Sequence, residues 1–168
     1  MALQKGWYVL YVRHRHEIKV NKQLGEKDIE TYLPLIKTLR KWKDRKKILN
    51  VPLFPSYIFV HIQSLNDLHR CLELKGACSF IKIGRQFARI QSKEIRQIKL
   101  LLCSEDVQDI HESYEKLKPG IKRVISIGPL TGLKCEVLGL NGKARVLIRI
   151  DSLDKNVKAD IPIGYLGL

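Results

Sequence analysis

The sequence predicts an α+β protein of two domains, an antiparallel sheet with three helices followed by a small β-barrel. Three observations lead to this prediction. Strand-like and helix-like patterns alternate over residues 1–105, an acidic segment with few hydrophobic residues occupies 106–117, and short β-rich runs fill 118–168. The predicted domain limits are therefore 1–105 and 118–168, with 106–117 as the linker.

The clearest strand pattern runs from Tyr57 to Ile62. Pro55 biases Phe54 toward an extended conformation at the start of this strand. Alternation along the strand places two aromatic residues and a histidine (Tyr57, Phe59, His61) on one face and three aliphatic residues (Ile58, Val60, Ile62) on the other. The aliphatic face indicates a core. The aromatic face indicates either a second packed layer of this chain or a site for a partner protein.

The other elements of the first domain complete the order β, α, β, β, α, β, α, which is typical of a split βαβ sandwich with one extra helix. Ser64 and Asp67 predict an N-cap with an acid three residues on, and Ser92 predicts the start of the last helix. The remaining signals are an apolar strand at 7–12, a helix with Val20 and Leu24 on one face, an extended segment at 29–39 broken at Pro34, and a strand at 80–83.

A strongly basic run lies between two predicted strands. Residues 37–47 contain seven Lys or Arg, one acid and Trp42. Such a run is commonly a solvated hairpin loop. An indole among cations also suits nucleic acid, because the ring stacks on bases while the charges follow phosphates. The candidate nucleic-acid-binding residues of this run are Lys41, Trp42, Lys43, Arg45 and Lys46.

The overall charge favours a polyanionic partner. The formal net charge is +14, and residues 1–105 carry 21 Lys/Arg against 9 Asp/Glu. Residues 106–117 are acidic, with 1 against 4, and residues 118–168 are basic again, with 9 against 4. A basic excess of this kind points to nucleic acid or a nucleic-acid-containing assembly.

The sequence offers no pattern for catalysis. Its five histidines are scattered, no carboxylates cluster, and the four cysteines lack the spacing of a zinc or redox site. We therefore expect no enzyme activity, no catalytic or metal-binding residues and no cofactor. No apolar run is long enough to span a membrane, and we expect a cytoplasmic monomer without membrane contact.

The second domain is predicted from four short β-rich runs separated by turn residues. About fifty residues of short strands bury little as an open sheet, so a small closed barrel is expected. The runs are 123–127, 133–138, 144–150 and 158–163.

Three motifs in this order resemble the NusG family of transcription elongation factors. They are Trp7-Tyr8-Val9-Leu10-Tyr11, then Leu53-Phe54-Pro55-Ser56-Tyr57-Ile58-Phe59-Val60, and then Gly120, Val124, Gly128-Pro129 and Gly132. The resemblance spans nearly the whole chain and implies an N-terminal NusG domain followed by a KOW barrel. Arg13, Arg15, Glu17, Leu33-Pro34-Leu35 and the segment from Trp42 to Lys47 look most similar to the specialised UpxY-type paralogues, with RfaH more distant.

The resemblance implies a function and its residues. UpxY-type factors are antiterminators of particular operons, often for surface polysaccharide. Tyr11, Phe54, Tyr57 and Phe59 match the aromatic pocket that grips the clamp helices of RNA polymerase. Arg13 and Lys19 match positions near the non-template or upstream DNA, and His69 and Arg70 match a second polymerase contact. The small ribosomal subunit is a further partner that the resemblance raises, through the KOW domain.

Two residues depart from the KOW pattern. Ile121 stands where many KOW motifs have an acid, and Cys135 stands where many have a second glycine. The alternative function is an RNA-binding or ribosome-associated KOW protein, which would present base-stacking aromatics on the barrel. Tyr165 is the one aromatic residue in 118–168, which argues against this alternative.

Overall fold

The structure is a computed structural model that describes residues 3–41, 46–113 and 121–167, apart from the side chains of residues 40 and 41. The chain divides into two compact units, Met1–Ser92 and Lys93–Leu168. Within the described residues there are three α-helices, and strands make up most of the remaining regular structure. The predicted combination of an antiparallel sheet with three helices is confirmed.

The first unit is built on an antiparallel sheet with the strand order β2-β5-β1-β6, in which β9 also pairs with β1. Two hairpins, β3-β4 and β7-β8, complete its strands. The strands and helices of this unit are β1 (Gly6–Val12), α1 (Glu17–Glu26), β2 (Thr31–Tyr32), β3 (Leu35–Lys41), β4 (Lys46–Pro52), β5 (Tyr57–Ile62), α2 (Leu65–Leu72), β6 (Ala77–Phe80), β7 (Lys82–Ile83), β8 (Gln86–Phe87) and β9 (Arg89–Ile90).

The core of the first unit contains the aliphatic face of β5, as the alternation predicted. Ile58, Val60 and Ile62 are fully buried and share a cluster with residues of the two helices. Both faces of β1 are apolar, so its sequence left the inward side open. The structure shows which side chains of β1 face this cluster, namely Tyr8, Leu10 and Val12. The residues of α1 and α2 that join them are Val20, Leu24, Leu68 and Cys71.

The start of α2 follows the predicted capping pattern. The Asp67 backbone N–H donates to Ser64 Oγ at 3.2 Å, and the Ser64 N–H donates to the Asp67 carboxylate at 3.0 Å. This reciprocal arrangement satisfies N–H groups that the first turn of a helix leaves without partners.

The second unit contains α3 and an antiparallel sheet with the strand order β10-β14-β13-β12-β11. Buried alternate residues of β13 and β14 supply much of its core, including Val146, Ile148, Val157 and Ala159. The elements are α3 (Ser92–Cys103), β10 (Gln108–Ser113), β11 (Ile121–Val124), β12 (Lys134–Asn141), β13 (Lys143–Ile150), β14 (Lys155–Ile161) and two 3₁₀ turns, Asp151–Leu153 and Ile163–Leu166.

The predicted closed barrel is not shown by the described strands. Strands β10 and β11 each pair on one side only, and they form the two edges of an open sheet. The prediction assumed that residues 118–168 would have to bury their core alone. In the structure, β10 adds a fifth strand, and Glu94 of α3 accepts hydrogen bonds from the backbone N–H and hydroxyl of Ser152.

Part of the predicted linker is a strand in the structure. Residues 108–113 form β10, which pairs with β14 so that Glu112 lies opposite Val157. Polar side chains gave this segment the composition of a linker, but an edge strand tolerates polar residues because its outer side faces solvent. The domain limits 1–105 and 118–168 themselves stay predictions.

Candidate functional site

Aromatic side chains converge on one face of the sheet, opposite the face whose residues Ile58, Val60 and Ile62 lie in the core. Strands β1 and β5 pair with Tyr11 opposite Tyr57, and β2 pairs with β5 so that Tyr32 lies opposite Phe59. Phe54 joins them from the segment just before β5. We call these five residues the aromatic cluster: Tyr11, Tyr32, Phe54, Tyr57 and Phe59.

The rings of the cluster contact one another in two groups, Tyr11 with Tyr57, and Phe59 with Phe54 and Tyr32. The Tyr11 and Tyr57 centroids are 6.0 Å apart and the Phe54 and Phe59 centroids are also 6.0 Å apart, both edge to face. Tyr32 stacks on Phe59 with centroids 6.1 Å apart and an interplanar angle of 19°. Such contacts stabilise aromatic pairs beyond the area that they bury.

Exposure separates the cluster into two layers. Tyr11 is 41% exposed, and Tyr32 and Tyr57 are half-buried. Phe54 and Phe59 are 0% exposed. In this structure a partner can therefore reach the tyrosines, while the phenylalanines lie beneath and support them. A direct partner contact of Phe54 or Phe59 stays a prediction, and it requires the covering groups to move.

A tight turn connects Phe54 to Tyr57. The Tyr57 N–H donates to the Phe54 carbonyl at 3.2 Å, and Ser56 has a φ of 66°. Proline at the second position and a positive φ at the third are the pattern of a type II turn, which favours glycine or asparagine at the position of Ser56. The turn therefore fixes the directions of two members of the aromatic cluster.

A buried carboxylate holds this turn. Glu17, the first residue of α1, is 3% exposed and accepts a hydrogen bond from the Ser56 N–H at 2.8 Å. In the sequence, Glu17 stands out only as part of the family resemblance, and nothing there indicates this role. The two residues lie far apart in the chain, and no local pattern indicates that they meet.

The predicted DNA contacts Arg13 and Lys19 are both exposed. Arg13 follows β1 directly, and its backbone N–H donates to the Gly76 carbonyl at 2.9 Å, which fixes the backbone and leaves the side chain outside. Lys19 lies on α1. Both side chains are available for a polyanion.

The described residues of the basic run, 37–41 and 46–47, lie on the paired strands β3 and β4. Lys41 lies opposite Lys46, and Lys37 lies opposite Asn50. Lys37 and Lys46 are exposed. Trp42, Lys43, Arg45 and the side chain of Lys41 lie outside the described part of the chain, so their predicted roles stay predictions.

His69 and Arg70, the predicted second polymerase contact, lie next to each other on α2 but in different surroundings. His69 is exposed. Arg70 donates to the Lys27 carbonyl and lies 3.7 Å from the Asp67 carboxylate. Arg70 therefore has a structural role between the end of α1 and α2, and His69 is the more accessible of the two.

Comparison with known proteins identifies the family of this chain. A sequence model of the family described as "Transcription termination factor nusG" matches residues 5–99, more than half of the chain. The chain belongs to the NusG family. NusG-family proteins are transcription factors that act in elongation or termination and interact with RNA polymerase.

A solved structure described as "Domain interaction in Thermotoga maritima NusG" has the same fold. The match covers 96% of this chain and 96% of that chain, with a TM-score of 0.57 and 19% sequence identity. At this identity the likeness concerns the fold. The NusG family match includes every member of the aromatic cluster, Glu17, and the predicted basic residues.

The two departures from the KOW pattern occupy different environments in this NusG-family chain. Ile121, on the edge strand β11, is 63% exposed. Cys135 on β12 is buried, and this burial raises the pKa of its thiol to about 11. Cys135 is therefore a small apolar core residue at neutral pH.

Within residues 3–41, 46–113 and 121–167, no group of three or more His, Cys, Asp or Glu residues is arranged to hold a metal ion. None of the helices in that part of the chain is long and apolar enough to cross a membrane.

Proposed function

We propose that this protein is a transcription antitermination factor that binds the clamp helices of RNA polymerase through its first unit and suppresses pausing or termination. Its targets are specific operons, such as those for surface polysaccharide. The observation that carries the proposal is the pairing of Tyr11 with Tyr57 on a sheet face whose other side packs in the buried hydrophobic core.

The chemistry of this face suits a protein partner. Tyrosine presents a large, rigid apolar ring and a polar hydroxyl, a combination that is enriched in protein interfaces. The buried ring of Phe59 supports Tyr32 by stacking on it, and Phe54 packs edge to face against Phe59. A preformed surface of this kind binds at a low cost in side-chain ordering.

The basic residues supply the second part of the proposal. The exposed side chains of Arg13 and Lys19 and the cations of the basic run at 37–47 attach the factor to non-template or upstream DNA. Lysine and arginine contacts to phosphates add affinity without reading the sequence. Recognition of particular operons therefore requires contacts in addition to these phosphate contacts.

The proposal is tested with the intact protein and the purified RNA polymerase of its own organism. We expect immobilised protein to retain the polymerase, and elongation complexes that carry it to read through an intrinsic terminator more often. Failure to retain polymerase would refute the binding role. Retention with unchanged or increased termination would refute antitermination alone.

Target choice is tested separately by sequencing the DNA that copurifies with the crosslinked protein. We expect occupancy to be confined to a few operons. Occupancy of most transcribed genes would contradict the specialised UpxY-type role and favour a general elongation factor.

The alternative, an RNA-binding or ribosome-associated KOW protein, receives less support. Tyr165 is the one aromatic residue of 118–168, and its hydroxyl donates to Asp106 at 2.6 Å. Its ring lies so close to Gly128 that a Cβ atom there would approach to 2.6 Å. Tyr165 is therefore engaged within the second unit, and a ribosomal contact of this unit stays a prediction.

A further inference from the structure

The turn before β5 places a non-glycine residue in a backbone region that side chains disfavour. Ser56 has a φ of 66° and is 9% exposed. A residue with a Cβ atom pays a steric cost in this left-handed region, and it persists there only when the surroundings hold it. The surroundings of Ser56 are therefore informative.

Both backbone groups of Ser56 are bonded to other parts of the first unit. Its N–H donates to Glu17 Oε1 at 2.8 Å, and its carbonyl accepts from the Val12 N–H at 2.8 Å. The first bond ties the turn to α1, and the second ties it to the end of β1. Phe54 and Tyr57, which flank the turn, belong to the aromatic cluster.

We propose that Glu17 is a positioning residue for the aromatic cluster: its buried carboxylate holds Ser56 in the left-handed conformation and thereby sets Phe54 and Tyr57 in the geometry that binds the partner. The choice of RNA polymerase as the partner rests on the proposed function. Glu17 touches no partner itself and acts through the turn.

The location of Glu17 supports this assignment. A buried carboxylate is costly unless hydrogen-bond donors or positive charge compensate it. Glu17 is the first residue of α1, where the helix dipole favours a negative charge, and His14 Nδ1 lies 3.9 Å away. A carboxylate compensated in this way is a strong hydrogen-bond acceptor for the Ser56 N–H.

Four variants test the proposal in the full chain. Glu17→Ala removes the acceptor, and Glu17→Gln keeps an oxygen in its place. The double variant Glu17→Ala with Ser56→Gly removes the acceptor but also the steric cost, because glycine adopts positive φ freely. Glu26→Ala is the matched control, since Glu26 is an exposed glutamate of the same helix, 3.9 Å from Lys22.

Two measurements are made on each variant, the hydrogen-exchange rate of the Ser56 amide and the affinity for RNA polymerase. We expect Glu17→Ala to speed exchange and weaken binding, each by about tenfold, because a hydrogen bond to a charged group is lost. Glu17→Gln and Glu26→Ala should remain within a few-fold of the unaltered protein. The double variant should regain affinity although the backbone amide at position 56 still exchanges fast.

The outcomes distinguish this inference from the proposed function. Unchanged Ser56 exchange in Glu17→Ala would overturn the inference, as would fast exchange with unchanged affinity. If Ser56→Gly restores no affinity in the Glu17→Ala background, the loss reflects general destabilisation and positioning is refuted. If the unaltered protein does not bind polymerase, the proposed function fails, and Ser56 exchange alone decides whether Glu17 holds the turn.

Discussion

The rings of Tyr11 and Tyr57 meet edge to face across β1 and β5 with their centroids 6.0 Å apart, and Tyr11 is the more exposed of the two. The antiparallel register sets these residues directly opposite each other, so the pair depends on the same hydrogen bonds that build the sheet. A surface feature anchored in this way keeps its shape in the absence of a partner.

Removing this pair should reduce polymerase binding and leave the fold intact. The double variant Tyr11→Ala with Tyr57→Ala is expected to lose at least about tenfold in affinity, as truncation of interface aromatics commonly does. Affinity is measured by titration with purified RNA polymerase, and folding is measured by thermal unfolding. Ile83→Ala, which truncates an exposed apolar residue outside the cluster, serves as the control.

Phe59→Ala should behave differently because Phe59 is fully buried. Truncation of a buried phenylalanine costs about 3 to 5 kcal/mol of unfolding free energy. Loss of binding in this variant would therefore be accompanied by lost stability. If Phe59→Ala abolishes binding while stability is unchanged, Phe59 is a contact residue and the two-layer interpretation of the cluster is wrong.

The sequence predicted the two faces of β5 but not the division of the aromatic face into layers. Alternation determines which side chains share a face, whereas burial depends on what lies above them. Phe59 is covered in part by Tyr32, which reaches it through the pairing of β2 with β5. The strands β2 and β5 lie on either side of the β3-β4 hairpin in the chain, so no local sequence pattern predicts their pairing.

The roles of Glu17 and of β10 also depend on contacts between distant segments, which no local sequence pattern predicts. A glutamate at the start of a helix is common for reasons of dipole and capping, so its hydrogen bond to Ser56 gave no additional signal. Polar residues in 108–113 resembled a linker because an edge strand and a linker share the same composition. The capping of α2, which depends on two residues three positions apart, was predicted in full.

The basic β3-β4 hairpin should contribute salt-dependent attachment. Replacing Lys41, Lys43, Arg45 and Lys46 with Gln is expected to weaken binding to the DNA of an elongation complex and to flatten its salt dependence. The slope should fall by up to about 0.9 log unit per lost phosphate contact. The measurement is affinity across a series of salt concentrations.

A control variant separates the position of these charges from their number. Replacing the exposed cations Lys75, Arg85, Lys93 and Arg96 with Gln removes the same total charge elsewhere. An equal effect of both variants would show that the hairpin acts only through net charge. If the hairpin variant leaves the affinity and its salt dependence unchanged, the run is a solvated loop and does not bind nucleic acid.

Acid should weaken the second unit in part through Asp160. The Arg145 guanidinium donates to this carboxylate at 3.0 Å, and this hydrogen bond holds the pKa of Asp160 below its ordinary value of 3.8. A carboxylate with a lowered folded-state pKa stabilises the protein above its unfolded pKa, and this contribution is lost as the pH falls through the folded value. We expect Asp160→Asn to reduce stability at neutral pH and to lose less on acidification.

The measurement is unfolding by denaturant at several pH values from about 6 down to about 2, because the lowered pKa of folded Asp160 places the loss of stability below its ordinary value of 3.8. Asp154→Asn is a useful comparison, because Asp154 is an exposed aspartate whose partner is Arg149. Parallel stability curves for Asp160→Asn and the unaltered protein would contradict the assigned role of the Arg145 pair.

Residues 108–113 have the composition of a linker but form β10, which pairs with β14. Glu112 of β10 accepts a hydrogen bond from Lys155 Nζ of β14, and their side chains are 8% and 20% exposed. Breaking a pair buried to this degree leaves one charge without its main partner, which costs about 3 kcal/mol or more, whereas removing both charges costs less. We therefore expect Glu112→Ala and Lys155→Ala each to lower the free energy of unfolding, and the double variant to be less destabilised than the two effects combined.

Strictly additive effects in this double-mutant cycle would show that the two charges do not interact. A negligible effect of Glu112→Ala alone would mean that the pair of Glu112 and Lys155 does not stabilise the attachment of this segment to the sheet.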